Sequence, residues 1–204
     1  MPIIAIIPVK PFSKGKSRLS AVLTDDERLA LNKIMFSHVL RVAISTQKID
    51  EVIVISRDSN ALNMAEKSGA HAILEEDKST LNGALETARK AASILEASAL
   101  LVLPSDLAKI ESKDLEIIIQ SNSLDTSSVV IAPDTKLSGT NVLLLQPLYA
   151  IPFSFGKNSF LKHQKDANKA GCKVTILERP NLTFDVDEPS DLKVLRKSMG
   201  TNYS

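Results

Sequence analysis

The 204-residue sequence predicts an α/β fold, a three-layer sandwich in which helices cover both faces of a mostly parallel sheet. Three observations carry that expectation. Short apolar runs rich in Ile, Val and Leu alternate with longer segments of helical periodicity, the pattern of strand–helix–strand units. The runs are apolar almost throughout, as strands buried on both sides must be. The length fits one domain, and no linker, repeat or low-complexity tract divides it.

The elements follow in order. Ile3–Val9 reads as a buried strand, and the basic stretch 11–18 comes after it. Thr24 and Glu27 are spaced as a capping box. Behind them Leu29, Leu31, Ile34, Met35, Val39, Leu40 and Val42 recur at helical spacing, predicting a helix to Ser45 or Thr46. Glu51–Ser56 is the second strand. Leu62, Met64 and Ala65 form a short helix stopped by Gly69, and residues 70–74 are the third strand. A helix over 81–97 leads to a fourth strand over 99–103, which ends at Pro104-Ser105-Asp106. Ser112–Gln120 is helical. Residues 129–132 and 141–145 are strands, and the block 137–152 is where the regular alternation breaks. A helix over 160–170 stops at Gly171 and a strand covers 173–177. Residues 182–186 form a short extended piece, and 190–197 the final helix.

Composition excludes several functions. Lys and Arg number 25 against 24 Asp and Glu, a net charge of +1. Such a chain has no global attraction for nucleic acid or an anionic membrane. The single cysteine, Cys172, rules out an intrachain disulfide and a Cys-rich zinc site. With no Trp, 2 Tyr and 6 Phe, stacking on single-stranded nucleic acid is not expected. The apolar N-terminal run is too short to span a membrane and lacks the flanks of a signal peptide, so the expected location is cytoplasmic. Two glycosylation-type triplets, Asn181-Leu182-Thr183 and Asn202-Tyr203-Ser204, are read as chance matches.

In an open parallel sheet, ligands bind outside the carboxyl ends of the strands. Those ends carry Pro8-Val9-Lys10, Pro104-Ser105-Asp106 and Ala132-Pro133-Asp134, with Asp185 and Asp187 before the final helix. Gly15-Lys16-Ser17 resembles the end of a phosphate-binding P-loop. However, Lys10 stands where the first Gly belongs, and Pro11 and Phe12 cannot wrap an anion in backbone N–H groups. The alternatives for Lys10, Lys14, Lys16 and Arg18 are a side-chain cradle for a triphosphate or a solvated basic loop. Asp106 could ligate a hard metal or cap a turn. Asp185 and Asp187, two apart in extended chain, point the same way, with Phe184 and Val186 toward the core. Three converging carboxylates would repel one another without a cation, and Mg²⁺ suits oxygen ligands plus phosphate. The loop 133–141 and the segment Phe155-Gly156-Lys157-Asn158-Ser159 ahead of a helix suit an anion. His38, His71 and His163 lack metal spacing and are expected at the surface or on helices.

The ordered set Pro8-Val9-Lys10, Lys16-Ser17-Arg18-Leu19, Leu81-Asn82-Gly83-Ala84-Leu85, Pro104-Ser105-Asp106-Leu107, Ala132-Pro133-Asp134, Gly139-Thr140-Asn141, Phe155-Gly156, Ser159-Phe160, His163 and Phe184-Asp185-Val186-Asp187 resembles the 2-phospho-L-lactate guanylyltransferase (CofC) family. The resemblance spans nearly the whole chain. It implies a nucleotide-diphospho-sugar transferase fold. It also implies guanylyl transfer from GTP to 2-phospho-L-lactate, or to phosphoenolpyruvate in bacterial relatives, within coenzyme F420 biosynthesis. The residues so implied are Pro8, Val9, Lys10, Lys16, Arg18, Leu81, Asn82, Gly83, Pro104 and Asp106 at the nucleotide, with Lys10, Lys16 and Arg18 as catalytic cations. Thr140, Asn141, Gly156 and Ser159 hold the phosphorylated acid. Asp106 and Asp187, with Asp185, hold Mg²⁺. A homodimer is the expected assembly, and base recognition falls to amide and backbone groups such as Asn82. Ala108 departs from relatives that carry Pro there. A transferase for a sugar phosphate or molybdopterin, a GTP-binding sensor without turnover and a P-loop GTPase are the competing readings.

Overall fold

A computed structural model describes residues 2–122 and 127–198. The strands are β1 (Ile3–Val9), β2 (Glu51–Ser56), β3 (His71–Leu74), β4 (Ala99–Val102), β5 (Ser128–Pro133), β6 (Thr140–Gln146) and β7 (Lys173–Ile176). They form one sheet in the order β3-β2-β1-β4-β6-β5-β7. Only β6 runs against the others: it pairs antiparallel with β4 and β5, while the remaining pairs are parallel. The break expected over 137–152 therefore contains a strand, joined to β5 by the loop 134–139 with no helix between them.

The period-2 alternation of the strands sorts the core into two layers. Ala5, Ile7, Val9, Val52, Val54, Leu101, Val130 and Leu144 pack on one face with Phe36, Val39 and Ala43 of α1 (Asp25–Ser45), Ala61 and Ala65 of α2 (Ser59–Lys67) and Leu115 and Ile118 of α4 (Ser112–Gln120). Ile4, Ile6, Ile53, Ile55, Leu100, Val129, Leu143 and Leu145 pack on the other, with Leu85 and Ala88 of α3 (Leu81–Ile94) and Phe160 and Ala167 of α5 (Ser159–Lys169). This is the expected three-layer sandwich. No helix among the described residues is long and apolar enough to cross a membrane.

The capping box is present: Glu27 N–H donates to Thr24 Oγ1 and Thr24 N–H to Glu27 Oε2. Two boundaries differ from the sequence reading. The helix expected over 81–97 ends at Ile94, because Glu96 takes the left-handed conformation (φ 56°). Residues 182–183 are not extended. Pro180–Thr183 forms one helical turn, α6, with Pro at its favoured first position, and the chain extends only from Phe184. The final helix, α7, spans Pro189–Ser198. The triplet at 202–204 lies outside the described residues.

Candidate active site

The basic loop leaves β1 and is anchored from below. Phe12 N–H donates to Asp58 Oδ2 (2.8 Å), Asn32 Nδ2 donates to the Phe12 carbonyl (2.8 Å), and the Phe12 ring is buried against Phe36. A Cβ on Gly15 would lie 2.5 Å from the Asn32 amide, so glycine lets the loop lie close over α1. The next residue, Lys16, adopts the left-handed conformation (φ 55°), which a non-glycine residue enters only at a cost. Its side chain is 5 % exposed, and Nζ lies 2.5 Å from Asp106 Oδ2 and 3.0 Å from Asp187 Oδ1. Arg18 Nη1 reaches Asp187 Oδ2 at 3.4 Å. A 3-10 helix of five residues, Ser17–Ala21, follows Lys16, and the α-helix α1 starts only at Asp25, so the long α-helix that opens directly behind the loop in a P-loop is not formed.

An apolar cluster holds the three charged segments together. Leu19 follows Arg18, Ala108 lies two residues after Asp106, and Val186 separates Asp185 from Asp187; all three are buried with Leu23, Met35, Leu192 and Leu195. Val186 points inward as its position in extended chain requires. Ala108 donates its N–H to the Asp106 carbonyl, a bond that proline could not make.

Charge in this corner is unevenly balanced. Burial works against the Lys16 ammonium, but Asp106 and Asp187 outweigh it and hold its pKa above the ordinary lysine value. Burial likewise opposes the Asp187 charge, yet Lys16, Arg18 and Lys10 pull its pKa below the usual carboxylate range. Asp185 is pushed up to about 6, first by burial and then by repulsion from Asp106 and Asp187. The three aspartates thus share one electrostatic neighbourhood. They do not gather into a closed ligand shell: among the described residues no group of three or more His, Cys, Asp or Glu has that geometry. The three-carboxylate centre is replaced by two carboxylates already bridged by a cation, with Asp185 set behind them. A divalent ion completed by phosphate oxygens and water fits that donor set.

A cleft of ≈ 620 Å³ opens beside this corner, within the usual size range of small-ligand sites. Pro8, Val9, Lys10, Lys14, Lys16, Arg18, Leu81, Pro104, Asp106 and Asp187 line it, so the structure gathers most of the expected nucleotide residues. Asn82 bonds to backbone. Its Nδ2 donates to the Phe155 carbonyl (3.1 Å) and its Oδ1 accepts from Phe155 N–H (2.9 Å). Both ends of the amide are engaged, which ties α3 to the 153–156 segment. Gly83 N–H is likewise taken by the Thr80 cap. Four lining residues were missed: Asn32, Arg57, Glu75 and Ser79. Arg57 follows β2 and Glu75 follows β3. The rule that located Lys10 and Asp106 finds both when it is applied to every strand.

The expected acceptor residues form a second, adjoining group. Asp134 accepts from the Lys136, Ser138 and Gly139 N–H groups, which shapes the loop that delivers Thr140. Thr140 N–H donates to Ser159 Oγ (2.8 Å), and Ser159 N–H to the Gly156 carbonyl (3.1 Å). Gly156 sits at φ 117°, a region that favours glycine. Asn141 Nδ2 donates to the Leu182 carbonyl, a buried tie to α6.

His163 lies on α5, as the expected helix position allows, and is fully buried, its ring having two hydrogen-bond partners. Ser154 N–H donates to Nε2 (3.0 Å), so that nitrogen is bare. Nδ1 therefore carries the ring proton and donates to Thr140 Oγ1 (2.9 Å). The Thr140 hydroxyl hydrogen is left for another acceptor. Burial lowers the His163 pKa to about 4, Lys162 adding to that effect and Asp166 opposing it. A stability effect follows. Above pH 6.5 the ring is neutral whether folded or unfolded. Between 6.5 and 4 the unfolded chain binds a proton that the folded chain refuses, so stability falls as pH falls. The loss is about 3 kcal/mol and levels off below pH 4. Urea titrations of wild type and His163→Asn across this window measure it. Parallel curves for the two proteins would show that His163 is not the cause.

Comparison with known proteins agrees with this geometry. The chain is 41 % identical over 203 residues to a phosphoenolpyruvate guanylyltransferase of Rubrobacter xylanophilus, covering 100 % of this chain and 98 % of the relative. It is 36 % identical over 202 residues to a 2-phospho-L-lactate guanylyltransferase of Methanothermobacter thermautotrophicus, covering 97 % and 86 %. Among solved structures, a nucleotidyl transferase of Methanothermobacter superposes with a TM-score of 0.69 at 14 % identity, covering 97 % of each chain, a likeness of fold. A family model described as guanylyl transferase, CofC like, matches residues 3–200. The chain belongs to the CofC-like guanylyl transferase family.

Proposed function

We propose that the protein transfers the guanylyl group of GTP to the phosphate of a small phosphorylated carboxylic acid, releasing pyrophosphate, as a step of coenzyme F420 biosynthesis. The observation that carries this reading is the Lys16 bridge between Asp106 and Asp187 in a cleft lined by five cations. The acid is 2-phospho-L-lactate or phosphoenolpyruvate. The higher identity to the relative named for phosphoenolpyruvate favours the latter.

The reaction needs positioning and charge neutralisation more than proton chemistry. An acceptor phosphate oxygen forms the new bond to the α-phosphorus, and the bond from that phosphorus to the bridging oxygen breaks, its electron pair leaving with pyrophosphate. The acceptor is already ionised, so no general base is required. Lys10, Lys14, Lys16 and Arg18 offset the charge of the triphosphate and of the leaving group. Thr140 and Ser159 offer hydroxyl hydrogens to the acid, since each hydroxyl oxygen already accepts a bond from the protein. Asp106 and Asp187 would hold Mg²⁺, which when bound supplies positive charge at the phosphates. The test is incubation with GTP, Mg²⁺ and each acid, separately and in competition, with product masses read directly. We expect one guanylylated acid and stoichiometric pyrophosphate. No pyrophosphate from either acid would reject the reading.

A further inference from the structure

The carboxyl edge of the sheet carries a second charged pair, at the end of the cleft away from Asp106. Arg57 Nη2 donates to Glu75 Oε1 (2.7 Å) and to the Ser79 carbonyl (2.6 Å). Both side chains line the cleft that holds Lys10, Lys16 and Asp106. The Glu75 side chain is only 12 % exposed, and its Oε2 has no hydrogen-bond partner among the described residues. The guanidinium therefore fixes the carboxylate while leaving it an oxygen free toward the cleft.

From the guanylyltransferase reading, on which the inference rests, we infer that Glu75 selects the nucleobase, accepting hydrogen bonds from N1–H and the exocyclic N2–H of guanine, with Arg57 as its positioning residue. Three arguments converge. The sheet order sets β3 three strands from β4, about 14 Å at the usual strand spacing. An extended nucleotide with its phosphates at Lys16 and Asp106 thus carries its base across β1 toward the ends of β2 and β3. Guanine presents two adjacent donors on its pairing edge, whereas adenine presents a donor beside an acceptor. A carboxylate matches the first pattern and leaves the second unsatisfied, which is how a hydrogen-bonding site rejects an analogue. Asn82, the other polar group expected to read a base, is engaged at both ends by Phe155. Leu81 and Ala84 supply apolar surface in the same cleft for the purine face.

Pyrophosphate release with the accepted acid, measured for GTP, ITP and XTP, tests the assignment. Inosine lacks the N2 amino group, so wild type should favour GTP over ITP by at least about 10-fold in kcat/KM. Xanthine carries an oxygen where guanine carries N2. In Glu75→Gln the amide oxygen still accepts from N1–H, while the amide N–H donates to that oxygen. The variant should lose about 100-fold on GTP and gain at least about 10-fold on XTP. Wild type that uses ITP as well as GTP would overturn the assignment, and that measurement does not depend on how the variant folds. A variant that loses GTP activity without gaining XTP activity would overturn it too. Wild type inactive on every nucleotide would reject the guanylyltransferase reading itself. Wild type active on GTP with an unchanged GTP/XTP ratio in Glu75→Gln would reject only the role of Glu75.

Discussion

Asp106→Ala is expected to lower kcat for pyrophosphate release by roughly 10²–10³-fold at saturating Mg²⁺ while the protein stays folded, and Asp187→Ala to do nearly the same. The reasoning begins with what each carboxylate touches. Asp106 and Asp187 both accept from the Lys16 ammonium. Both are partly exposed, 28 % and 44 %, so neither is a core residue whose loss collapses packing. Removing either takes away half of the negative charge that would hold a divalent ion on the phosphates. It leaves Lys16 paired with the other. The measurement is steady-state kinetics across a Mg²⁺ titration, with circular dichroism to check the fold. A variant that kept near-normal kcat at high Mg²⁺ would remove that residue from the metal site.

Lys16→Met should lower turnover by a similar roughly 10²–10³-fold, and it should also cost stability. Here the cause is repulsion. Without the ammonium, Asp106, Asp185 and Asp187 repel one another, and only the exposed Arg18 still pairs with Asp187. Breaking hydrogen bonds to charged groups costs about 1.5–3 kcal/mol, toward the low end here because Asp187 is half-exposed. Millimolar Mg²⁺ should restore most of that stability, since a second cation can take the vacated position. It should not restore turnover, because the loop then lacks the charge that meets the phosphates. Thermal midpoints with and without Mg²⁺, set beside the rates, separate the two effects. Equal stabilisation of wild type and variant by Mg²⁺ would refute the shared-position argument.

The fold was legible because each strand is a continuous apolar run and each helix has its own period or cap. The antiparallel course of β6 was not, since an apolar run carries no direction. The charged corner was legible as well: Lys10, Lys16 and Asp106 follow strand ends, and Asp187 sits just before the final helix. What could not be read was the occupancy of polar atoms. Asn82 and Asn141 look like ligand donors in the sequence, and only the folded backbone shows Phe155 and Leu182 engaging them. His163 has no second histidine near it in sequence, so nothing there marks its partners as Thr140 and the Ser154 backbone. Glu75 is hard to read because β3 is an edge strand of four residues, too short for its end to stand out in the sequence.

The bridge from Lys16 spans 90 positions to Asp106 and 171 to Asp187. A site assembled over such separations forms late, after the loop-closure entropy of both connections has been met. A chain that ends with β3 carries the basic loop without Asp106 and Asp187, the two carboxylates that Lys16 bridges. The corner is complete only once Leu192 and Leu195 of α7 have packed against Leu19 and Val186, so the last helix of the chain closes a site that its first loop begins.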